Sequence, residues 1–271
     1  MRLPKGIRDN LRFLLVETGS QVEHLQTYFG NCEPSVARRV LDRSGYASNL
    51  KERIHDSCFR DIASASPRKA AMLRTVQQIA SGLLRISELC SECIRQVGYL
   101  DDPKRLCGDD FADDLQQVID AIGSIEGALQ QGDTQQALRI GRIERRLDRS
   151  FRRQLKQFTT GMKRSKQPQY LISGLFIAQA IEQMGDALLS ICEAIVSTNL
   201  GQTMNMERYQ SLRDSVGQLD KVGDPAALVV EPLAETRSGS GISGIGLPNR
   251  RADDKFVAIY KDGKKRKLRE E

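Results

Sequence analysis

The feature that most restricts the fold of this chain is an internal repeat of about a hundred residues, carried by segments with helical periodicity. The first two helices of each half match at an offset of 100, and the third helices match at an offset of 98. The matched positions include Val22, Val40, Ile79, Leu83 and Glu88 in the first half and Ile122, Ile140, Ile177, Ile181 and Asp186 in the second. Because three helices enclose a core by themselves, the repeat predicts two tandem three-helix bundles.

Proline and capping residues separate the long periodic segments. Ser66 before Pro67 is typical of a helix start, and Gly132 followed by Asp133 combines a helix stop with a new N-cap. The predicted helices cover residues 8–29, 34–62, 67–99, 109–131, 133–161, 168–199 and 204–220. The composition agrees with an all-α fold, since Trp is absent and aromatic residues make up 5% of the chain, too few for a typical β-sandwich or barrel.

The sequence predicts a cytoplasmic protein without membrane insertion. The first ten residues are too polar for a signal peptide. The apolar segment 168–199 is expected to be a buried bundle helix, because Glu182 and Asp186 interrupt it before it reaches the ~20 apolar residues that a span requires. The six cysteines are dispersed without a paired framework, as expected in a reducing compartment, so no disulfide is predicted.

The pattern predicts five regions. Two three-helix repeats cover residues 1–102 and 103–200, and an additional helix covers 201–222. Residues 223–254 are rich in Gly, Ser and Pro and are interpreted as a flexible linker. Residues 255–271 are predicted to form a basic β-hairpin around Asp262-Gly263, a favoured type I′ turn pair. Two strands alone are marginally stable, so this hairpin should be loose until a third strand or an apolar surface contacts it.

The charge distribution argues against nucleic acid as a partner. The chain has a net charge of +6, and residues 255–271 carry seven Lys or Arg and three Asp or Glu, so +4 of that excess belongs to the tail. The body is therefore close to neutral and has no extended basic surface. No nucleophile, phosphate-binding loop or acid–base constellation is present around His24 or His55, so we do not expect an enzyme.

Two strings resemble the PhoU family of phosphate-signalling regulators. One is Phe13-Leu-Leu-Val-Glu-Thr-Gly19 with the helix start at 34–41, and the other is the run from Phe176 to Glu193, similar to the third-helix signature of that family. The resemblance covers roughly residues 8–200. It implies a pair of three-helix bundles that is not an enzyme, is cytoplasmic and often dimeric, binds metal ions on an acidic face, and relays a signal to a transporter or kinase.

The candidate metal ligands are carboxylates of the second repeat. Glu182 and Asp186 are four residues apart, so both side chains leave one face of a helix, where they repel each other unless a cation or base lies between them. Oxygen ligands favour a divalent or ferric ion such as Mg²⁺, Mn²⁺, Zn²⁺ or Fe³⁺. The resemblance adds Asp148, which matches the acid of the preceding helix. The alternative is that these acids are solvated or paired with nearby arginines.

The first repeat departs from the family pattern. Leu84, Glu88 and Ser48 stand where the resemblance calls for three acids, and Ala187 follows Asp186 where the family often has His. An apolar Leu84 leaves too few oxygen ligands. We therefore predict that any metal binds to the second repeat only.

Two basic surfaces are candidate partner contacts. On the fifth predicted helix, Arg142, Arg145, Arg149 and Arg152 recur at intervals of three and four and line one face, able to meet an acidic partner. In the tail, Phe256 and Tyr260 point to one side of the predicted strand. The alternative for the arginines is a solvated helix face.

The sequence thus predicts a non-enzymatic regulator that binds a protein partner, either a phosphate transporter subunit or a signalling kinase-like protein, and that forms a homodimer. The alternative is a scaffold or accessory subunit of a kinase-like or phosphatase-like partner that has lost phosphate sensing. The degenerate first repeat and the additional tail favour this second interpretation.

Overall fold

The computed structural model describes residues 3–106, 111–163, 165–201, 260–261 and 264–265. The part up to residue 201 is almost entirely helical. Its helices are α1 (Lys5–Asn31), α2 (Pro34–Asp42), α3 (Ser44–Ile62), α4 (Pro67–Gly98), α5 (Ala112–Gln131), α6 (Thr134–Met162) and α7 (Pro168–Leu200), with a 3₁₀ turn at Pro103–Leu106. The predicted all-α fold is confirmed.

The residues predicted to begin and end helices do so through specific contacts. The Ser66 hydroxyl accepts a hydrogen bond from the backbone N–H of Lys69 at 3.4 Å, and Pro67 occupies the first turn of α4. The Asp133 carboxylate accepts one from the N–H of Gln136 at 3.0 Å and caps α6. Gly132 ends α5 with a φ of +66°, a left-handed conformation that costs glycine little because it has no Cβ.

The single helix predicted over 34–62 is interrupted at Arg43, which separates α2 from α3. The carbonyl oxygen of Arg43 accepts a hydrogen bond from Nε2 of Gln21 at 3.2 Å, and its guanidinium lies 2.6 Å from the buried carboxylate of Glu17. Both partners belong to α1. The prediction of one continuous helix is therefore wrong, because tertiary contacts hold the break.

The helices form two bundles that share one core. The first bundle contains α1, the α2–α3 pair and α4, and the second contains α5, α6 and α7. They pack together through α1 against α5 and α4 against α7, where the Thr75 hydroxyl donates a hydrogen bond to the carbonyl of Ala194 at 3.2 Å. The buried apolar side chains of both bundles form a continuous cluster within one compact unit. The boundaries drawn at 1–102 and 103–200 stay predictions.

Helix α7 is the central helix expected from its sequence. Of the helices that the structure describes, it is the one long and apolar enough to cross a membrane by length and composition. However, 50% of its most apolar 18-residue window is buried inside the bundle, where α4 and α6 cover it. A helix packed in this way behaves as the core of a bundle.

The tail contains a short antiparallel strand pair. Strand β1 (Tyr260–Lys261) pairs with β2 (Lys264–Lys265), with Tyr260 opposite Lys265 and Lys261 opposite Lys264. The pairing of these four residues is antiparallel, as in the predicted hairpin. The longer predicted arms, the helix at 201–222, the linker at 223–254 and Phe256 lie outside the described residues.

The cysteines depart from the prediction at one position. Cys58, Cys90, Cys93 and Cys192 are free thiols buried in the bundles. Cys32, which follows α1 in a left-handed conformation with a φ of 56°, is disulfide-bonded. The prediction of no disulfide is wrong at this residue, since spacing along a helical chain does not reveal which loop ends meet.

Candidate functional site

Two glycines bring helices α6 and α7 unusually close together. A Cβ atom added to Gly185 of α7 would lie 3.1 Å from Cα of Glu144 on α6, and one added to Gly141 of α6 would lie 2.8 Å from Sγ of Cys192 on α7. These distances are shorter than ordinary van der Waals contact. The close approach places the polar edge of α6, with Glu144 and Asp148, beside the corresponding edge of α7.

The carboxylates on these two edges affect one another. The pKa of Glu182 is raised to about 7, mainly by burial and then by the nearby carboxylates of Asp186, Asp148 and Glu144, in that order of importance. A carboxyl group among three others is protonated more easily because like charges disfavour its ionised form. The three acids predicted from the sequence thus belong to one electrostatic cluster, which we call the acidic cluster and which also contains Glu144.

Sequence reasoning missed Glu144, although its signal was present. Glu144 and Asp148 are four residues apart on α6, the same spacing as Glu182 and Asp186 on α7. Two such pairs on adjacent helices predict a four-carboxylate surface wherever the helices approach closely.

Asp148 already has a basic partner. Its two carboxylate oxygens lie 3.0 Å from Nε and 2.9 Å from Nη2 of Arg152, one turn along α6. The side chain of Arg152 is 75% exposed, so the pair lies at the solvent boundary. This arrangement agrees with the alternative in which the acids pair with arginines, and it applies to Asp148 in particular.

The acidic cluster is not a preformed metal centre. Within the helical residues that the structure describes, no three His, Cys, Asp or Glu side chains lie close enough together to hold an ion. Metal ligation by Asp148, Glu182 and Asp186 would require their side chains to move, and Asp148 would have to leave Arg152. The observed arrangement therefore does not fit a bound ion without rearrangement.

The first repeat has a different polar cluster at the corresponding place. Leu84 packs against the core, and Glu88 pairs with Arg85 of the same helix at 3.7 Å. Ser87, which matches Gly185 at the offset of 98, is fully buried and donates a hydrogen bond to Oε1 of Gln21. The prediction that the first repeat binds no metal stays a prediction, supported by the burial of Leu84.

The acidic cluster borders a surface groove between α4 and α7. The groove has a volume of about 430 Å³ and is lined by Arg85, Glu182, Gln183, Asp186, Ala187 and Ser190. Arg85 crosses it from the first bundle and donates a hydrogen bond from Nη2 to Oε1 of Gln183 at 2.7 Å. The two bundles thus meet at a polar seam between α4 and α7 that contains both basic and acidic side chains.

The arginine row on α6 is exposed but contains internal contacts. Arg142, Arg149 and Arg152 are exposed, whereas Arg145 is half-buried. Nε of Arg149 donates a hydrogen bond to the carbonyl of Arg145 at 3.1 Å, and Arg152 is held by Asp148. Of the two predicted tail contacts, Tyr260 begins β1 and Phe256 lies outside the described residues.

Together, the fold and the site define an all-α protein of two tandem three-helix bundles with an acidic cluster on the second. A family model described as PhoU domain matches residues 115–195, which is most of α5, α6 and α7. The resemblance to the PhoU family predicted from the sequence is confirmed by this match and by the similar proteins described next.

Two PhoU proteins of known name are similar to this chain over most of its length. The phosphate-specific transport system accessory protein PhoU of Serratia marcescens is 25% identical over 206 residues, 72% of this chain and 83% of that protein. The protein of the same name from Escherichia coli is 23% identical over 206 residues, 72% of this chain and 84% of that one.

Two crystal structures of PhoU proteins share the fold. The structure from Pseudomonas aeruginosa has a TM-score of 0.65 at 16% identity and covers 72% of this chain and 96% of its own. The phosphate transport system regulatory protein PhoU from Streptococcus pneumoniae has a TM-score of 0.67 at 14% identity, covering 73% and 96%. At these identities the likeness concerns the fold alone.

Proposed function

We propose that this protein is a non-enzymatic regulator of phosphate-linked transport or signalling that acts by contact with a protein partner. The observation that carries the proposal is the match to relatives named as phosphate-specific transport system accessory proteins, which extends over 72% of this chain. The partner is a phosphate transporter subunit or a signalling kinase-like protein.

The proposed contact surface includes the arginine row on α6 and the basic tail. Arg142 and Arg149 are exposed on a helix whose opposite face is buried in the second bundle. Such a row favours an acidic surface on the partner, because complementary charge steers association. In the tail, Phe256 and Tyr260 supply apolar side chains within a lysine-rich sequence.

Affinity capture of the partner tests this surface. The charge-reversal variant Arg142→Glu/Arg149→Glu and a chain lacking residues 250–271 are expected to capture less partner from native lysate than the full chain. Arg38→Glu/Arg39→Glu on the exposed side of α2 makes the same charge change on the first bundle and serves as the control. Equal capture by all four proteins would remove both surfaces from the proposal.

We propose metal binding by Asp148, Glu182 and Asp186 as the second part of this function. A cation would relieve the repulsion among the carboxylates that surround Glu182, which supports the proposal, although binding requires Asp148 to release Arg152. We expect the purified protein to contain a divalent or ferric ion that Glu182→Gln/Asp186→Asn loses and that Glu92→Gln, an exposed acid on α4, retains. Elemental analysis that finds no ion in any of the three proteins would refute this part.

A scaffold or accessory subunit for a kinase-like or phosphatase-like enzyme is the second candidate. It is favoured by the first repeat, where Leu84 is packed against the core in place of a ligand. The two candidates differ in their dependence on phosphate. If a deletion strain shows the same phenotype with and without phosphate starvation, the scaffold role is supported and the phosphate-linked role is not.

We also propose that the protein is cytoplasmic and forms a homodimer. The four buried free thiols are compatible with a reducing compartment, whereas the disulfide of Cys32 is not typical of one. Cell fractionation tests the location, and light scattering of the purified chain tests the dimer.

A further inference from the structure

We propose that a second groove, on the first-bundle side of the α4–α7 seam, binds a linear oligophosphate. This groove has a volume of about 690 Å³, and its lining includes His55 of α3, Arg74, Gln78, Ser81 and Arg85 of α4, and Ser190 of α7. The inference adds a ligand to the proposed regulator, and it does not depend on which protein partner the regulator contacts.

The side chains that line the groove carry positive charge and include no acid, and Arg85 also pairs with Glu88 outside the lining at 3.7 Å. Its lining contains Arg74, Arg85 and a histidine, together with amide and hydroxyl groups, and no carboxylate. Within the part of the chain that the structure describes, Arg74 forms no ion pair. Guanidinium groups bind phosphoryl oxygens through planar, charge-assisted hydrogen bonds, so an anion rich in such oxygens is the favoured ligand.

The spacing of the two arginines indicates an elongated anion. Arg74, Gln78, Ser81 and Arg85 follow one another at intervals of four, three and four, so all four lie on one face of α4. At 1.5 Å per residue, the Cα atoms of Arg74 and Arg85 are about 16 Å apart along the helix. A chain of phosphoryl groups can extend along this face from one arginine toward the other, whereas orthophosphate supplies a single phosphoryl group.

Small residues form the floor of the groove. A Cβ atom added to Gly82 would lie 2.8 Å from the side chain of Ile191 and 3.4 Å from the carbonyl of Ala187, so α4 and α7 are in close contact there. The walls come from a third helix, since Nε2 of His55 donates a hydrogen bond to the carbonyl of Gln77 at 3.2 Å. The groove is therefore formed by three helices of one compact unit.

The lining also argues against a nucleotide. It contains no Phe, Tyr or Trp on which a base would stack. The adjoining 430 Å³ groove, beyond Arg85, contains Glu182 and Asp186, which repel a phosphoryl chain. The ligand is thus expected between Arg74 and Arg85, on the side of Arg85 that faces away from these two acids.

Calorimetric titration of the full chain at physiological ionic strength tests the proposal, with sodium tripolyphosphate, pyrophosphate, orthophosphate, citrate and ATP as probes. We expect affinity to fall from tripolyphosphate to pyrophosphate to orthophosphate, with citrate and ATP weaker than tripolyphosphate. Arg74→Gln should weaken tripolyphosphate binding tenfold or more. Arg68→Gln, an exposed arginine of α4 outside the groove, should change it by less than twofold.

Three results would overturn the proposal. They are the absence of tripolyphosphate binding, equal losses in the two arginine variants, which would indicate diffuse charge attraction, and tighter binding of ATP or citrate. Because the assay contains no partner protein, its failure would leave the adaptor role intact. Conversely, a failed partner capture would not affect the titration.

Discussion

Nη2 of Arg43 lies 2.6 Å from Oε2 of Glu17, joining the break between α2 and α3 to the centre of α1. The Glu17 side chain is 3% exposed and the Arg43 side chain is 47% exposed, so a guanidinium group at the surface pairs with a buried carboxylate. Gln21 adds a second link by its hydrogen bonds to the Arg43 carbonyl and to Ser87 of α4. This polar cluster occupies the middle of the first bundle.

Removing Arg43 should destabilise the first bundle. Arg43→Ala leaves the buried Glu17 carboxylate with the hydrogen bond from Nε2 of Gln21 and without its basic partner, a change that costs about 1–3 kcal/mol of unfolding free energy. Arg38→Ala, on the exposed side of α2, should change the unfolding free energy by less than about 0.5 kcal/mol. Urea unfolding followed by circular dichroism measures both, and equal values would show that the pair contributes little.

A methyl group at Gly185 should force α6 and α7 apart. Alanine is a better helix former than glycine by about 1 kcal/mol, but the added Cβ meets the backbone of Glu144 at 3.1 Å, and overpacking of this kind costs about 1–3 kcal/mol. We expect Gly185→Ala to lower the thermal unfolding temperature.

Gly123 of α5 provides the matched control for that substitution. A Cβ atom there would meet nothing within 4 Å, so Gly123→Ala gains helix propensity alone and should raise the unfolding temperature. Both variants can be compared in one calorimetric series. Stabilisation by both would mean that the close approach of α6 and α7 is not limiting.

The stability of the protein should decrease between about pH 4.5 and pH 7 through Glu182. Its pKa is raised in the folded state from 4.5 to about 7, so the folded protein holds this proton more tightly than the unfolded chain does. The resulting stabilisation is present in full below pH 4.5 and is lost as the pH rises through 7.

Glu182→Gln removes that dependence. After allowance for solvent screening, we expect it to stabilise the protein by about 1 kcal/mol at pH 8 and to have little effect at pH 4.5. Glu92→Gln, an exposed acid on α4, should follow the wild-type pH profile. Parallel unfolding profiles of Glu182→Gln and wild type across this range would argue against the raised pKa.

The free thiols should be inert in the native protein. Burial raises the pKa of Cys90 and of Cys192 to about 12 and that of Cys58 to about 11, which removes the reactive thiolate near neutral pH. We expect a colourimetric thiol reagent at pH 8 to label these residues only after unfolding in guanidinium chloride.

Ser64→Cys, which places a thiol on an exposed turn, is the positive control for labelling. It should react at once in the native state. Rapid reaction of Cys58, Cys90 or Cys192 under the same conditions, identified by peptide mapping, would contradict their burial.

The features that the sequence predicts correctly are those with a local cause. The helix ends at Ser66 and Asp133 follow from capping chemistry, and the pairing of Glu182 with Asp186 on one helix face follows from spacing. The interruption at Arg43 depends on Glu17 and Gln21, which lie more than twenty residues earlier on another helix. Within 34–62, Ser44-Gly45 is compatible with a turn at this point but does not identify the contacts on α1.

Most residues of the candidate site could be predicted from the sequence, but the contacts between their side chains could not. Asp148, Glu182 and Asp186 belong to one cluster, but the contact between Asp148 and Arg152 depends on side-chain conformation, which spacing permits without requiring. The participation of Glu144 depends on the closeness of α6 to α7, set by Gly185 and Gly141. A glycine inside a helix indicates a close helix–helix contact only when the helix that packs against it is known.

The continuous core that both bundles share has a consequence for how such a duplicated protein diverges. Since the buried side chains of the two halves belong to one cluster, the two copies should melt in a single cooperative transition. Selection for stability therefore preserves the buried residues of each copy, even after its surface residues have lost their function. One half can then acquire a specialised function while the other half stabilises it.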